Sequence, residues 1–243
     1  MSGVRDTWVV FRHATRAALR QKAGLFLGML QPALFLALFG PLFATVGTWE
    51  VLVPGLLVQL ALLSAGLAGF GVVFDARFGV LDRIRVTPVA RTALLLGRAL
   101  SASVTLLAQT VLLIVMGYGF GLRAPLAGVL LALPLVALLG VGLAALSHAV
   151  ALTMNPDAFA PVMTTAVVPL TLLSGALLPM SMAPGWLDAL SRLTPFRYAV
   201  EALRELFAGH YTGPAVAVGV AVTAVFCAVC TAAGVRVFSR AGS

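Results

Sequence analysis

The chain has 243 residues, of which 61% are hydrophobic and only 10% charged, with a formal net charge of +8. That composition lies far outside soluble globular domains, and the charge sits in short clusters between apolar runs, where it orients a membrane chain and needs no nucleic acid. Six runs reach the roughly 20 apolar residues that cross about 30 Å of hydrocarbon; backbone groups in lipid must be satisfied internally, so an all-α integral membrane domain is expected.

Residues 1–23 come first. Arg5, Arg12, Arg16 and Arg20 fall on one helical face, with Val4, Trp8, Phe11 and Ala18 or Leu19 toward another. That is the pattern of an interfacial helix lying in the headgroup plane. The positive region is too long, and the apolar run after it too full, for a cleavable signal. Spans are then predicted at 24–47 and 51–74. Gln31 before Pro32 places a possible kink and a polar group in the first span, where Phe35 and Phe39 stand four apart. These three, with Gln59 in the second span, are candidates for a substrate pathway, against the simpler reading of core packing. Gly66, Gly69 and Gly71 permit close helix approach.

The longest polar interruption of the first half is 75–92, DARFGVLDRIRVTPVART. Phe78, Leu81 and Ile84 recur at spacing three among Asp75, Arg77, Asp82, Arg83 and Arg85, and Pro88 ends the run because its ring and missing N–H cannot continue a helix. A short amphipathic helix clamped between two spans is placed to receive a push from a cytosolic partner. An arginine-rich loop obeying the orientation rule would look the same. Further spans are predicted at 93–121, 126–154 and 158–180. Between the last two, Asn155-Pro156-Asp157 makes a tight turn with Asp157 placed to cap the next helix. His148 reads as a packing residue, and Thr171 and Ser174 add mild polar groups to the pathway candidates.

The segment 181–213 holds two amphipathic pieces too charged to span. Trp186, Leu187, Leu190 and Leu193 form the first apolar stripe, and Pro195 interrupts the run. Tyr198, Leu203, Leu206 and Phe207 form the second stripe against Arg197, Glu201, Arg204 and Glu205, with the polar face expected to pair internally at spacings of three and four. A pair of helices dipping into or lying on the outer leaflet is expected, before a last span at 214–235. With six spans, twelve basic residues fall on the side of both termini and four (Arg123, Arg192, Arg197, Arg204) on the other. Both termini are therefore expected in the cytosol.

Catalytic patterns are missing. A phosphate-cradling loop needs Gly-Lys, and the single lysine, Lys22, follows Gln21. Cys227-x-x-Cys230 sits among Ala, Val and Phe of the last span, without the second pair a zinc site needs, and reads as packing. Ser174-Gly175 lacks the glycine two positions earlier that an intramembrane serine protease would show. No catalytic residue and no metal site is expected. Ion-coupled carriers keep ionisable groups at membrane depth; with neither those nor an internal repeat, a secondary transporter is the weaker reading.

Taken together, the basic start, two spans, GVLDRIRVTPVART, three spans and LLSGALLPMSMAPGWLDALSRLTPFRYAVEALRELF resemble the permease subunit of type-2 ABC exporters. The daunorubicin-resistance-like drug-efflux branch is the nearest in pattern, and the resemblance covers essentially the whole chain. Gly79, Leu81, Asp82, Arg83, Val86, Thr87, Pro88 and Arg91 match the family's cytosolic coupling helix. Ser174-Gly175, Pro179, Pro184, Trp186-Leu187, Pro195, Ala202 and Arg204 match its outer re-entrant helices. The resemblance implies six transmembrane helices, pairing with a second permease copy or a paralogue, and docking on two copies of an ABC ATP-binding subunit. ATP and Mg would lie on that partner and no cofactor on this chain. ATPase coupling would fall to Asp75, Arg77, Phe78, Gly79, Leu81, Asp82, Arg83, Ile84, Arg85 and Pro88, although the family's usual Glu before the coupling glycine is missing and the nearest acid is Asp75. Trp186, Pro195, Tyr198, Glu201 and Arg204 would belong to the outer helices. The implied cargo is a hydrophobic or amphipathic compound, a drug, antibiotic or lipid-like molecule, exported across a bacterial plasma membrane. A polysaccharide or teichoic-acid exporter is the alternative, for which an aromatic sugar-stacking track would be expected; aromatics are 8%, mostly phenylalanine.

Overall fold

The computed structural model describes residues 3–20, 22–44, 49–78, 91–177 and 180–240. They form helices α1 (Gly3–Arg20), α2 (Lys22–Ala44), α3 (Trp49–Ser64), α4 (Phe70–Arg77), α5 (Arg91–Phe120), α6 (Leu126–Thr153), α7 (Pro156–Leu173), α8 (Gly185–Ser191), α9 (Pro195–Phe207) and α10 (Pro214–Arg240), with one 3-10 turn at Met180–Met182. No strand occurs among the described residues. Four helices, α5, α6, α7 and α10, are long and apolar enough to cross a membrane, and α2 and α3 carry shorter apolar stretches.

The run 51–74 is not one helix. It breaks after Ser64 into a turn at 65–69, and α4 then sets off again. Glycines weaken the helix at this point, and Ser147 of α6 replaces the lost ladder bond: its Oγ accepts from the Gly69 N–H at 2.9 Å. Only glycine fits there, because a methyl group at Gly69 would stand 2.4 Å from the Ser147 carbonyl oxygen. At 1.5 Å per residue α3 alone reaches about 24 Å, short of the hydrocarbon thickness.

The centre of the bundle is α3, buried without interruption from Leu52 to Leu62. It is enclosed by α2, α5, α6 and α9, while α10 packs along α6 and α9. Helix α9 turns Phe196, Val200, Leu203, Leu206 and Phe207 into this core, so the second amphipathic piece is packed inside the bundle end and does not lie on a surface. Its partner α8 stays at the rim, with Trp186 70% exposed.

Two helix ends differ from expectation. The N-cap of α7 is Asn155, whose side chain accepts from the Asp157 N–H at 3.1 Å, with Pro156 in the first turn. Asp157, expected to cap, is left free to pair elsewhere. At its other end α7 stops at Leu173, well before residue 180. Ser174 closes it by donating to the Thr171 carbonyl at 2.7 Å and accepting from the Ala176 N–H at 3.2 Å.

Candidate functional site

At the end of the bundle that carries α1, that helix lies across the first turns of α5. The approach is close enough that a methyl on Gly97 would meet Val10 Cγ1 at 2.7 Å. Arg5, Arg12, Arg16 and Arg20 point outward and are exposed, whereas Val10, Ala14 and Ala18 face the bundle. The outward arginines match the reading of the sequence, whereas the bundle-facing side runs through Val10 and Ala14, which that reading did not name. Trp8, placed with the apolar side, is nonetheless 61% exposed and leans on Phe11, ring centroids 5.4 Å apart.

Helix α4 leads from the break toward the 79–90 segment. Of the coupling candidates, Gly79, Leu81, Asp82, Arg83, Ile84, Arg85 and Pro88 lie outside the described residues. The other three close α4. Asp75 accepts from Arg98 of α5, both groups being half-buried. Arg77 donates to Asp157 at the start of α7, in the open. Phe78 is 74% exposed and stacks on Phe74. The end of α4 is thus tied by ion pairs to both α5 and α7. Arg98 and Asp157 were missed as members of this group; each was visible as a lone charge beside an apolar run, but its partner lies 23 or 80 residues away.

The pathway candidates do not converge. Gln31 is exposed on α2, and Phe35 and Phe39 stack on one another at 5.3 Å. Gln59 is buried in α3, its Oε1 without a hydrogen-bond partner among the described residues. Thr171 and Ser174 spend their hydroxyls on carbonyls of α7 itself, Val167 and Thr171. None of the six lines the cavities bordered by α1.

At the opposite end, α8 and α9 are joined by charge. Arg197 donates to Glu201 at 2.8 Å, to the Asp188 carboxylate at 2.5 Å and to Ser191 Oγ at 2.6 Å. The hydrogen bond from Arg197 holds the Asp188 carboxyl below the usual carboxylate range. Tyr198 donates to the Arg192 carbonyl at 3.0 Å, and Pro195 opens α9 where no N–H is needed. Arg204 departs from the expected pairing with Glu201. Its guanidinium donates to the carbonyls of Gly175 (2.7 Å), Ala176 (3.4 Å) and Val51 (3.3 Å). Burial draws it down to about 10, partly offset by the charge of Glu201, which still leaves it cationic at neutral pH. A cation beyond the C-terminal end of α7 satisfies carbonyls that have no intrahelical partner and complements the helix dipole.

Cys227 and Cys230 are unpaired thiols buried in α10. No cluster of three or more metal-binding side chains occurs among the described residues.

Residues 5–208 match the family described as ABC-2 type transporter. A putative transport permease ycf38 of Porphyra purpurea is 31% identical over 202 residues, 77% of this chain and 69% of the relative. A probable doxorubicin resistance ABC transporter permease protein DrrC of Mycobacterium tuberculosis is 28% identical over 74% of this chain and 66% of its own length. A daunorubicin resistance ABC transporter permease protein DrrB1 of Streptomyces coeruleorubidus is 25% identical over 74% of this chain and 67% of its own.

Proposed function

The chain belongs to the ABC-2 type transporter family as a multi-pass membrane permease, and on that premise we propose that it is the gated half of an ATP-driven exporter for a hydrophobic or amphipathic compound. Family membership implies association with an ABC ATP-binding subunit. In the proposed assembly two such subunits, holding ATP and Mg, dock on a pair of permeases in a bacterial plasma membrane. The chain crosses six times, counting α2 and the broken α3–α4 unit with the four long helices, and both termini are cytosolic.

The observation that carries this reading is the way α4 ends. A helix that runs out of the bundle into the 79–90 segment is fastened to α5 by Asp75–Arg98 and to α7 by Arg77–Asp157. Force applied to 79–90 by a closing ATPase pair would reach three spans at once. A loop that only obeyed the charge-orientation rule would need neither ion pair. The cargo class is supported by the spans, whose buried polar groups are amides, hydroxyls and one imidazole, with no buried carboxylate among the described residues; an apolar passage of this kind suits an amphiphile better than a bare ion. The drug-resistance names of two relatives point the same way.

The test is ATPase stimulation by candidate amphiphilic drugs in liposomes containing this chain and its ATP-binding subunit. Leu81→Asp and Ile84→Asp should each abolish stimulation while leaving the permease folded. Assembly and turnover unchanged in both would remove the coupling assignment.

A further inference from the structure

Non-helical backbone at membrane depth survives only where protein covers it or a polar cavity solvates it. At the α3–α4 break, one side is held by Ser147. The other side, with Ser64 and Ala68, faces a cavity of about 960 Å³ roofed by α1 and walled by α5 and α6. Its polar groups are layered. The Asp75–Arg98 pair, with side chains 26% and 19% exposed, belongs to the end nearer the 79–90 segment. Deeper in lies His148, 3% exposed, whose ring stands by the Ala144 carbonyl while Nδ1 completes no well-formed hydrogen bond. The rest of the lining mixes small apolar side chains, Ala102 among them, with the polar groups of His13, Ser64, Ser101 and Thr105.

We propose that this cavity binds the headgroup and glycerol end of a zwitterionic, amine-bearing phospholipid drawn from the leaflet in which α1 lies. A cavity roofed by an interfacial amphipathic helix opens at headgroup depth, where lipid is the concentrated species. One carboxylate and one guanidinium at its mouth cancel any net pull on a plain anion. A ligand carrying both an ammonium and a phosphate exchanges with both partners together, the ammonium N–H donating to Asp75 and the phosphate accepting from Arg98. Below them the glycerol ester region reaches His148 Nδ1, a buried polar atom that costs free energy while unmet. The volume lies within the range of sites that enclose a small ligand, and the acyl chains remain in the bilayer. The exposed arginines of α1 face the other way and offer a separate, sequence-tolerant attraction for anionic lipid. The proposal needs the membrane placement of the chain but no particular cargo, so it fails or stands apart from the exporter reading.

The experiment is native mass spectrometry of the complex with its ATP-binding subunit, released from nanodiscs of equal phosphatidylethanolamine and phosphatidylglycerol. The wild type should retain phosphatidylethanolamine. Ala102→Phe, which fills the cavity, and His148→Leu, which removes the deep polar group, should each lower that retention by about tenfold. Phosphatidylglycerol, held at the α1 arginines, should be retained equally in all three proteins. Should Ala102→Phe fail to fold, His148→Leu carries the test alone: without lipid its melting temperature should match or exceed the wild type, because an incompletely satisfied buried group is gone. Phosphatidylethanolamine retention that is unchanged in His148→Leu, or that falls in step with phosphatidylglycerol, overturns the proposal.

Discussion

Arg204 shows how one side chain can hold three elements that share no sequence neighbourhood. Its guanidinium reaches carbonyls at the start of α3 and beyond the end of α7 from a position on α9. The fork of Arg suits this task because its N–H groups are fixed in a plane, whereas a lysine offers a single point of charge. Arg204→Leu leaves those carbonyls unmet at a cost of roughly 2 kcal/mol, which for a chain of this size lowers the melting temperature by about 5 °C. Arg204→Lys should fall between the two, since the charge persists but the reach does not. Thermal unfolding in detergent, followed by tryptophan fluorescence, checks this: Trp49 packs on Phe120 near the start of α3, the element Arg204 holds. A leucine variant that melts with the wild type would reduce Arg204 to a surface cation.

Among elements, α4 is the one through which movement would pass in the proposed exporter, and its two ion pairs differ in kind. Asp75–Arg98 is half-buried and borders the cavity under α1, whereas the side chains of Arg77 and Asp157 are 48% and 81% exposed. An exposed pair contributes less than about 1 kcal/mol to stability, so on the proposed reading its value is mechanical. Arg77→Asp alone and Asp157→Arg alone should leave expression and melting unchanged while reducing drug-stimulated ATPase activity several-fold. The double exchange should restore it, because the contact is re-made with its signs reversed. A double exchange no better than either single change would deny α7 a part in transmission.

The elements also mark how far the amino-acid sequence could be read. Long apolar runs announced α5, α6, α7 and α10, and the one-sided arginines announced α1, because hydropathy and helical period are local properties. The break in 51–74 was not announced. Gly66, Gly69 and Gly71 were legible only as packing residues, and what turns them into a break is Ser147, 78 positions away. Likewise Asp157 read as a cap because it opens a helix, yet Asn155 takes that role and Asp157 turns to Arg77. Arg204 read as a partner for Glu201 at helical spacing, but burial brought carbonyls nearer than the carboxylate. The partners of Gly69, Asp157 and Arg204 (Ser147, Arg77 and the carbonyls of Val51, Gly175 and Ala176) are all distant in sequence, which spacing cannot show.

For the whole molecule, the uneven covering of its apolar helices is what the proposed pairing has to explain. Helix α3 is enclosed by its own chain from Leu52 to Leu62, so it offers little surface to a neighbour. Helix α2 presents Leu30, Leu34 and Leu38, exposed at a spacing of four, and α7 buries only Phe159, Val167 and Thr171 while exposing Val168 and Leu172. Helix α10 also exposes valines, Val218, Val225 and Val229. Composition cannot separate a lipid-facing stripe from one that meets a second permease, since lipid tails are as apolar as leucine. Position can: α2 and α7 stand at the edge of the bundle, whereas α10 is clasped along α6 and α9. If α2 and α7 meet their counterparts across a two-fold axis, cysteines replacing Leu34 and Leu172, with Cys227 and Cys230 changed to alanine, should give a covalent dimer with a short thiol-reactive linker in native membranes. The same reagent on cysteines at Val218 and Val225 should give monomer. Dimer from the α10 pair and none from α2 and α7 would place the contact on the other side of the bundle and take the gated passage with it.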